Sequence, residues 1–215
     1  MKDLFKNTKN RQSKVLLYQK YLLQEKEEHQ NALPPSKPMK KKNKVIKFPK
    51  YIGIASVAHG CGASHLTYAI ANYLATVQKK TVVVVSNCPE MYQCAGRFAV
   101  ERVPHPAMIE QTDIYIQDYG CLEDMTKDQK DTYRVMEKKI LCCNFSDYYL
   151  ESLAAFVRAY VKDPEQWLFV FNQLTKKKQR EVADLMEGYH FICPPAYDKN
   201  DIRIVTDLLM EVFGE

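Results

Sequence analysis

The sequence has no apolar run of the roughly 18 uninterrupted residues that a membrane span needs. Its first residues, MKDLFKNTKNRQSK, are basic but lack the apolar core and the cleavage site of a secretory signal. We therefore expect neither insertion into a membrane nor export. A cytoplasmic localisation is the expectation that follows from these two absences.

The seven cysteines include no C-x-x-C pair, the spacing of many zinc and redox sites. Most of them lie in apolar or strand-like segments, as Cys142 and Cys143 do. We therefore expect reduced, buried thiols, and only Cys61, in a polar turn, is expected to be exposed. His59 and His65 flank Cys61, but no acidic residue stands near to orient either ring, which disfavours a catalytic thiol.

Acidic residues are scarce in the first 50 positions, which hold 14 Lys and Arg against 4 Asp and Glu, while the whole chain carries a formal net charge of +5. Residues 1–30 are interpreted as a basic arm, in which apolar side chains recur at helical spacing between Ser13 and Gln30. Residues 31–50 contain four prolines and a lysine run and are interpreted as a linker. Residues 51–215 then form the folded domain.

The basic arm is compatible with more than one kind of partner. Its helix has a face that would dock on the folded domain or on another protein, and a basic surface that would touch an acidic membrane. Glu25, Glu27 and Glu28 at the end of the helix disfavour strong membrane attachment. No interleaved aromatic residue or recognition motif accompanies the lysine run, so nucleic-acid binding is the least favoured of these alternatives.

The most informative stretch runs from Tyr51 to Leu74. An alternating, β-like segment, YIGIASV, is followed by the turn HGCGASH and then by an apolar helix. Glycines in a loop between a strand and a helix let backbone N–H groups point towards a bound phosphate. The stretch therefore indicates a phosphate-binding loop. However, Ala63 stands before Ser64, at the place where such loops carry a lysine.

Strand and helix patterns alternate through the rest of the domain. The segment from Lys80 to Ser86 is a continuous β-branched run, typical of a strand that is buried on both faces of a parallel sheet. Residues 87–111 are expected to be irregular, with one short helix around 91–98. Further strands are predicted at 113–120, 139–144, 167–172 and 190–193, and further helices at 127–138, 147–161, 177–187 and 201–213.

This alternation predicts an α/β fold: a doubly wound, mostly parallel sheet with helices on both faces, because parallel neighbours need long crossover connections. Ligands bind such sheets at the carboxyl ends of the strands. We therefore expect the functional site at this edge, which would be lined by residues 56–65, 86–90, 118–120, 144–146, 172–175 and 194–198.

In this context, residues 51–215 resemble the MinD/ParA group of P-loop ATPases, whose first strand is followed by K-G-G-x-G-K-T/S. Asp118 ends an apolar strand before a glycine, as the Walker B aspartate of that group does. Asn172 resembles the asparagine that faces the adenine, and Cys193-Pro194-Pro195 the strand end that borders it. The pattern G-x-G-x-S-H with a following A-x-x-N-Y-L resembles divergent CpaE/TadZ-type relatives, which help to localise pilus machinery.

The resemblance implies a site for ATP or ADP with Mg²⁺. Backbone N–H groups of the loop would hold the phosphates, while Asn172 and Pro195 would lie beside the base. Ser64 and Asp118 would hold the Mg²⁺ ion. The loop residues implied in nucleotide binding are Gly60, Cys61, Gly62, Ala63, Ser64 and His65.

The departures from the family pattern concern charged positions. Ala63 replaces the phosphate-binding lysine, and Ser86 and Cys88 replace the two acids that normally end the second strand. Hydrolysis needs a positioned water and neutralisation of charge on the phosphates, so these losses disfavour ATP turnover. Two alternatives remain open for binding: the loop still holds a nucleotide, or its glycines only permit a tight turn.

The leading hypothesis is therefore a non-catalytic or very weakly active localisation or assembly factor with protein partners, for which secretion or pilus-assembly machinery is one candidate. A second hypothesis is an ATP-binding switch that forms a homodimer and hydrolyses ATP, with its cation supplied from elsewhere. A third is binding of nucleic acid or of a membrane surface through the basic arm.

Overall fold

The computed structural model describes residues 48–92, 97–103, 105–172 and 174–194. The predicted arm, nearly all of the linker, Pro195 and the helix predicted at 201–213 lie outside the described residues. Within the described ranges, no helix is both long and apolar enough to cross a bilayer.

The described chain forms one seven-stranded sheet in which every pair of neighbouring strands is parallel, in the order β3-β2-β4-β1-β5-β6-β7. This confirms the α/β fold with a parallel sheet. The strands are β1 (Tyr51–Ser56), β2 (Val82–Ser86), β3 (Ala99–Glu101), β4 (Ile114–Cys121), β5 (Lys138–Cys143), β6 (Trp167–Phe171) and β7 (Phe191–Ile192).

The connections between strands carry the helices. They are α1 (Ala63–Thr76), α2 (Pro106–Gln111), α3 (Lys127–Arg134), α4 (Asp147–Tyr160) and α5 (Lys176–Leu185), with short 3₁₀ turns at Pro89–Tyr92 and Pro164–Gln166. The capping box of α3 illustrates how sequence sets a helix start: Thr126 Oγ1 accepts from the backbone N–H of Gln129, whose side chain accepts from the Thr126 N–H.

Strand β2 lies between two apolar layers, as its β-branched run predicts. Val82 and Val84 belong to the large core cluster, which also contains Leu66 and Ile70 of α1. The intervening Val83 and Val85 belong to a second, smaller cluster with Tyr115 on β4. Successive side chains of a strand point to opposite faces, so the sheet is covered on both sides at this position.

The prediction for residues 87–111 was wrong in detail. The 3₁₀ turn ends at Tyr92, the edge strand β3 follows at 99–101, and α2 begins at Pro106. Three residues are too few for an alternating pattern to be recognised, so β3 gave no signal. The helix start at His105-Pro106 fits known preferences, because His105 accepts a hydrogen bond from the Ala107 N–H and proline is tolerated at the first helical position.

Candidate functional site

The loop between β1 and α1 (residues 57–62, the β1–α1 loop) has a conformation that requires glycine at two places. Gly60 has φ 76° and Gly62 has φ 92°, both in the left-handed region. A Cβ atom on Gly62 would also lie 3.0 Å from Asn172 Nδ2, whereas one on Gly60 would meet nothing within 4 Å. Gly62 therefore permits both the turn and the close approach of a second segment.

That second segment is the end of β6. Asn172 Nδ2 donates a hydrogen bond of 2.8 Å to the Cys61 carbonyl oxygen, across 111 positions of sequence. Asn172 Oδ1 is buried and has no hydrogen-bond partner among the described residues. Asn172 thus holds the loop through its amide nitrogen, while its amide oxygen is left without a partner. A buried acceptor without a partner costs free energy.

A cavity of about 550 Å³ lies beside this contact. Its volume is within the range of small-molecule sites. It collects residues from the β1–α1 loop, from the end of β5 and from the segment after β6, at the carboxyl edge of the sheet where the site was predicted. The lining residues are Gly60, Cys61, Gly62, His65, Cys143, Asn144, Phe145, Asn172, Leu174, Thr175 and Lys178.

Lys178 is the only cationic side chain among these lining residues apart from the titratable His65. Its Nζ donates to the Phe145 carbonyl oxygen at 3.4 Å and lies 6.0 Å from the centroid of the Phe145 ring. Lys178 is the last of three consecutive lysines at the start of α5. It is exposed, but the placement of α5 directly after β6 brings it to the cavity.

The two residues implied in metal binding meet directly. Ser64 Oγ donates a hydrogen bond of 2.7 Å to Asp118 Oδ2. Asp118 is only 3% exposed, and its Oδ1 accepts from the Gly120 N–H at 3.0 Å. The aspartate on β4 and the serine at the start of α1 therefore form one buried polar cluster.

Two further hydroxyl groups complete this cluster. The Tyr92 hydroxyl donates to Asp118 Oδ2 at 2.6 Å, and Ser86 Oγ lies 3.4 Å from the same oxygen. Burial raises the pKa of Tyr92 far above its ordinary value, and the Asp118 carboxylate raises it further, so the phenol stays a proton donor. Tyr92 was missed because it lies in a segment without periodicity.

This arrangement does not fit a hydrated Mg²⁺ ion. Magnesium in nucleotide sites keeps several water molecules and is held by one or two carboxylates at octahedral geometry. Here Asp118 Oδ2 is surrounded by three hydroxyl groups, and the Tyr92 ring beside it is 2% exposed. Space for a hydrated ion at this carboxylate would require Tyr92 to leave.

Two of the positions that depart from the MinD/ParA sequence pattern contribute no charge to the site. Ala63 is buried and adds only a methyl group at the start of α1. Ser86 Oγ accepts from the Cys88 N–H at 3.1 Å as well as facing Asp118, so a neutral hydroxyl stands where the family has an acid. The cluster around Asp118 therefore carries one buried carboxylate and no cation within the described residues.

The predicted exposure of the cysteines was wrong at two places. Cys61 is buried, with 6% of its surface exposed, and Cys88 is exposed. The β1–α1 loop turns Cys61 inwards, and burial raises the pKa of its thiol. A buried, protonated thiol is a poor nucleophile. The expectation that no acidic residue orients the flanking histidines was wrong for His59, because its Nε2 lies 3.0 Å from an Asp124 carboxylate oxygen.

The sequence matches no protein-family model, and no curated protein matches it. Solved structures do match. A ParA family ATPase from Chlorobium tepidum TLS is similar over 77% of this chain and 94% of its own, at 12% identity and a TM-score of 0.51. A chain of the MinC:MinD cell division complex of Aquifex aeolicus is similar over 73% of this chain and 85% of its own, at 14% identity and a TM-score of 0.50.

These similarities define the fold of the chain. The chain has the P-loop NTPase-like fold of MinD and ParA proteins, with a parallel sheet, a strand–loop–helix unit at β1–α1 and a buried aspartate on β4. At these identities the similarity establishes the fold alone.

Proposed function

We propose that this protein is a MinD/ParA-like localisation or assembly factor that acts through its surfaces and hydrolyses ATP very weakly or not at all. The observation that carries the proposal is the closed cluster at Asp118. The Asp118 carboxylate, which would hold a metal through water, is buried under Tyr92 and accepts a hydrogen bond from Ser64.

The chemistry supports absence of turnover. Transfer of the γ-phosphoryl group needs positive charge on the phosphates and a positioned water molecule. Ala63 supplies no charge, and the Ser86 and Cys88 positions supply no carboxylate to orient the water. Each of these losses removes electrostatic stabilisation of the transition state, which is commonly the largest contribution to catalysis.

Nucleotide binding without turnover is supported by the open cavity. The β1–α1 loop and the start of the 14-residue helix α1 offer backbone N–H groups to a phosphate, and Lys178 adds a cation to the lining of the same cavity. Asn172 also borders the cavity, where its side chain would lie beside a bound base. We therefore propose that ATP or ADP binds here independently of magnesium.

Two measurements on the full chain test this proposal. A ligand that binds only the folded state raises the thermal midpoint, so ATP and ADP should raise it equally with Mg²⁺ and with EDTA. ATP hydrolysis should stay at the background of the assay. Hydrolysis at rates typical of MinD and ParA proteins would overturn the proposal, and an unchanged midpoint would remove its nucleotide-binding part.

The partner of such a factor is proposed to be a protein. The Aquifex aeolicus structure contains MinD together with MinC, which supports protein association as a use of this fold. Secretion or pilus-assembly machinery, a cytoplasmic localisation and a tethering role for the basic arm stay predictions from the sequence.

A second candidate function is the dimerisation switch, which is favoured by the retained contact between Ser64 and Asp118. If ATP draws Tyr92 away and admits magnesium, ATP with Mg²⁺ should shift the chain to a dimer in size-exclusion chromatography, whereas ADP should not. An elution volume unchanged by ATP would reject the switch.

A further inference from the structure

A cluster of three potential metal ligands lies outside the cavity and the Asp118 cluster. His59 is in the β1–α1 loop, Cys121 is the last residue of β4, and Asp124 is in the turn that follows. His59 Nε2 is 3.0 Å from an Asp124 carboxylate oxygen, and the three ligand atoms all lie within 4.8 Å of one another.

The fold explains why these distant residues meet. β1 and β4 are neighbouring parallel strands, and Ser56 pairs with Cys121 at their carboxyl ends. The backbone N–H of Asp124 donates to the Cys121 carbonyl oxygen at 3.1 Å, which closes a tight turn and brings its side chain back over the strand end. His59 approaches from the adjacent loop.

We propose that His59, Cys121 and Asp124 form a zinc-binding site. Thiolate, imidazole and carboxylate are the three ligand types that Zn²⁺ takes in proteins, and three protein ligands leave a fourth, tetrahedral position for water or for a group from a partner. This site does not depend on nucleotide binding or on the proposed function.

The distances suit this ion. Zinc–ligand bonds of about 2.0–2.3 Å put tetrahedral ligand atoms about 3.3–3.6 Å apart, so no separation needs to shorten by more than about 1.5 Å. The ligands that must move are free to do so, because the side chains of His59 and Asp124 are 76% and 63% exposed. Cys121, which is 4% exposed, would form the fixed base of the site.

The ion pair between His59 and Asp124 does not by itself explain why the three side chains lie together. An exposed pair of this kind contributes about 0–1 kcal/mol. A divalent cation would hold the three side chains together, because a coordinating thiol gives up its proton to solvent as the metal binds and then pairs with the ion as a thiolate.

The position suggests what the ion would do. It would join the β1–α1 loop to the end of β4, three residues beyond Asp118. The metal would therefore restrain the loop from outside the cavity, while its fourth position would face solvent.

The test uses tag-free full-length protein, reduced and freed of metal by a chelator. Titration with Co²⁺ should give one tightly bound ion per chain with a thiolate-to-cobalt charge-transfer band, and Zn²⁺ should displace it. His59→Ala and Asp124→Asn should each weaken Co²⁺ binding at least about tenfold, a lower bound taken from the effect of losing residues that only support ligands. Cys121→Ser should abolish the charge-transfer band.

Matched controls separate this site from other thiols and imidazoles. His190→Ala and Cys88→Ser replace an exposed histidine and an exposed cysteine outside the cluster and should leave the titration unchanged. The absence of a thiolate band in the unmodified protein would overturn the proposal. Equal binding by His59→Ala, Asp124→Asn and the unmodified chain would overturn it too, even if Cys121→Ser fails to fold.

Discussion

The two sides of the β1–α1 loop differ in one physical respect: the side that faces Asp118 is closed, and the side that faces Asn172 is open. On the closed side, hydroxyl groups of Ser64, Tyr92 and Ser86 surround a buried carboxylate. On the open side, the loop borders a cavity of about 550 Å³.

Under the proposed function, the contrast means that the parts of a nucleotide site can be lost separately. Phosphate contacts depend on backbone N–H groups and on glycine conformation, which the fold supplies whatever the neighbouring side chains are. Catalysis depends on particular charges, and these are the features replaced by Ala63, Ser86 and Cys88. The predictions below test whether the closed side is a structural cluster and the open side a binding site.

The largest effect is expected for Asp118→Ala. It removes the acceptor of the Ser64 and Tyr92 hydroxyls and of the Gly120 N–H, leaving buried donors unpaired. We expect unfolding free energy to fall by about 3–5 kcal/mol, as measured by urea denaturation, because hydrogen bonds to a buried charge are lost together. Asp184→Ala, at an exposed position of α5, is the control and should change stability by less than about 0.5 kcal/mol.

A different outcome would identify the closed side as functional. If Asp118→Ala unfolds at the same urea concentration as the unmodified chain but loses ATP-dependent stabilisation, the carboxylate acts on a ligand and not on the fold.

The next largest loss of stability is expected for Tyr92→Phe, which alters the same cluster at the residue that covers Asp118. The lost hydroxyl donates to a carboxylate, and such bonds contribute about 1.5–3 kcal/mol, so a destabilisation of that size is expected. Tyr119→Phe is the matched control, since its hydroxyl makes a 3.2 Å bond to the neutral Thr132 hydroxyl and should cost only about 1 kcal/mol.

Tyr92→Ala tests the assignment of the metal position, because it removes the ring as well as the hydroxyl group. In this variant, stabilisation by ATP should become larger with Mg²⁺ than with EDTA. Equal stabilisation under both conditions would mean that Tyr92 is not what keeps magnesium from Asp118.

The two sides were not equally predictable from sequence. β1, the glycine loop and α1 form a continuous local pattern: β1 ends one residue before the predicted bound, and α1 begins at Ala63, three residues before the predicted start at Leu66. The family resemblance placed Ser64 near Asp118, 54 positions away, and the two are in contact. Their role in holding a ligand stays a prediction.

Other contacts had no local signal. Tyr92 reaches Asp118 from a four-residue 3₁₀ turn, and Lys178 reaches the cavity from a run of three lysines typical of a solvated surface. Cys61 was assigned the wrong exposure, because the polar turn that holds it is folded inwards by its contact with Asn172. In each case the deciding interaction joins segments that are far apart in sequence.

Gly62→Ala and Gly60→Ala form a pair that isolates the contact between the loop and Asn172. Both substitutions place an L side chain at positive φ, which costs about 1–2 kcal/mol. Only the Gly62 methyl would also press on Asn172 Nδ2, at 3.0 Å. Urea denaturation should therefore show a greater loss for Gly62→Ala. Equal losses for the two variants would mean that Asn172 yields without cost, so that its contact with the loop does not hold the loop in place.

The smallest effect is expected for Lys178→Ala, which tests the open side alone. Lys178 is exposed, so stability should change by less than about 0.5 kcal/mol. An exposed charge near a phosphate contributes about 1 kcal/mol, so the dissociation constant for ADP, measured by calorimetry, should rise about fivefold at low salt. Lys177→Ala is the matched control, because Lys177 is exposed on the same helix but does not line the cavity. If both variants bind ADP as the unmodified chain does, the phosphates do not lie against α5, and the cavity holds the nucleotide in another orientation or not at all.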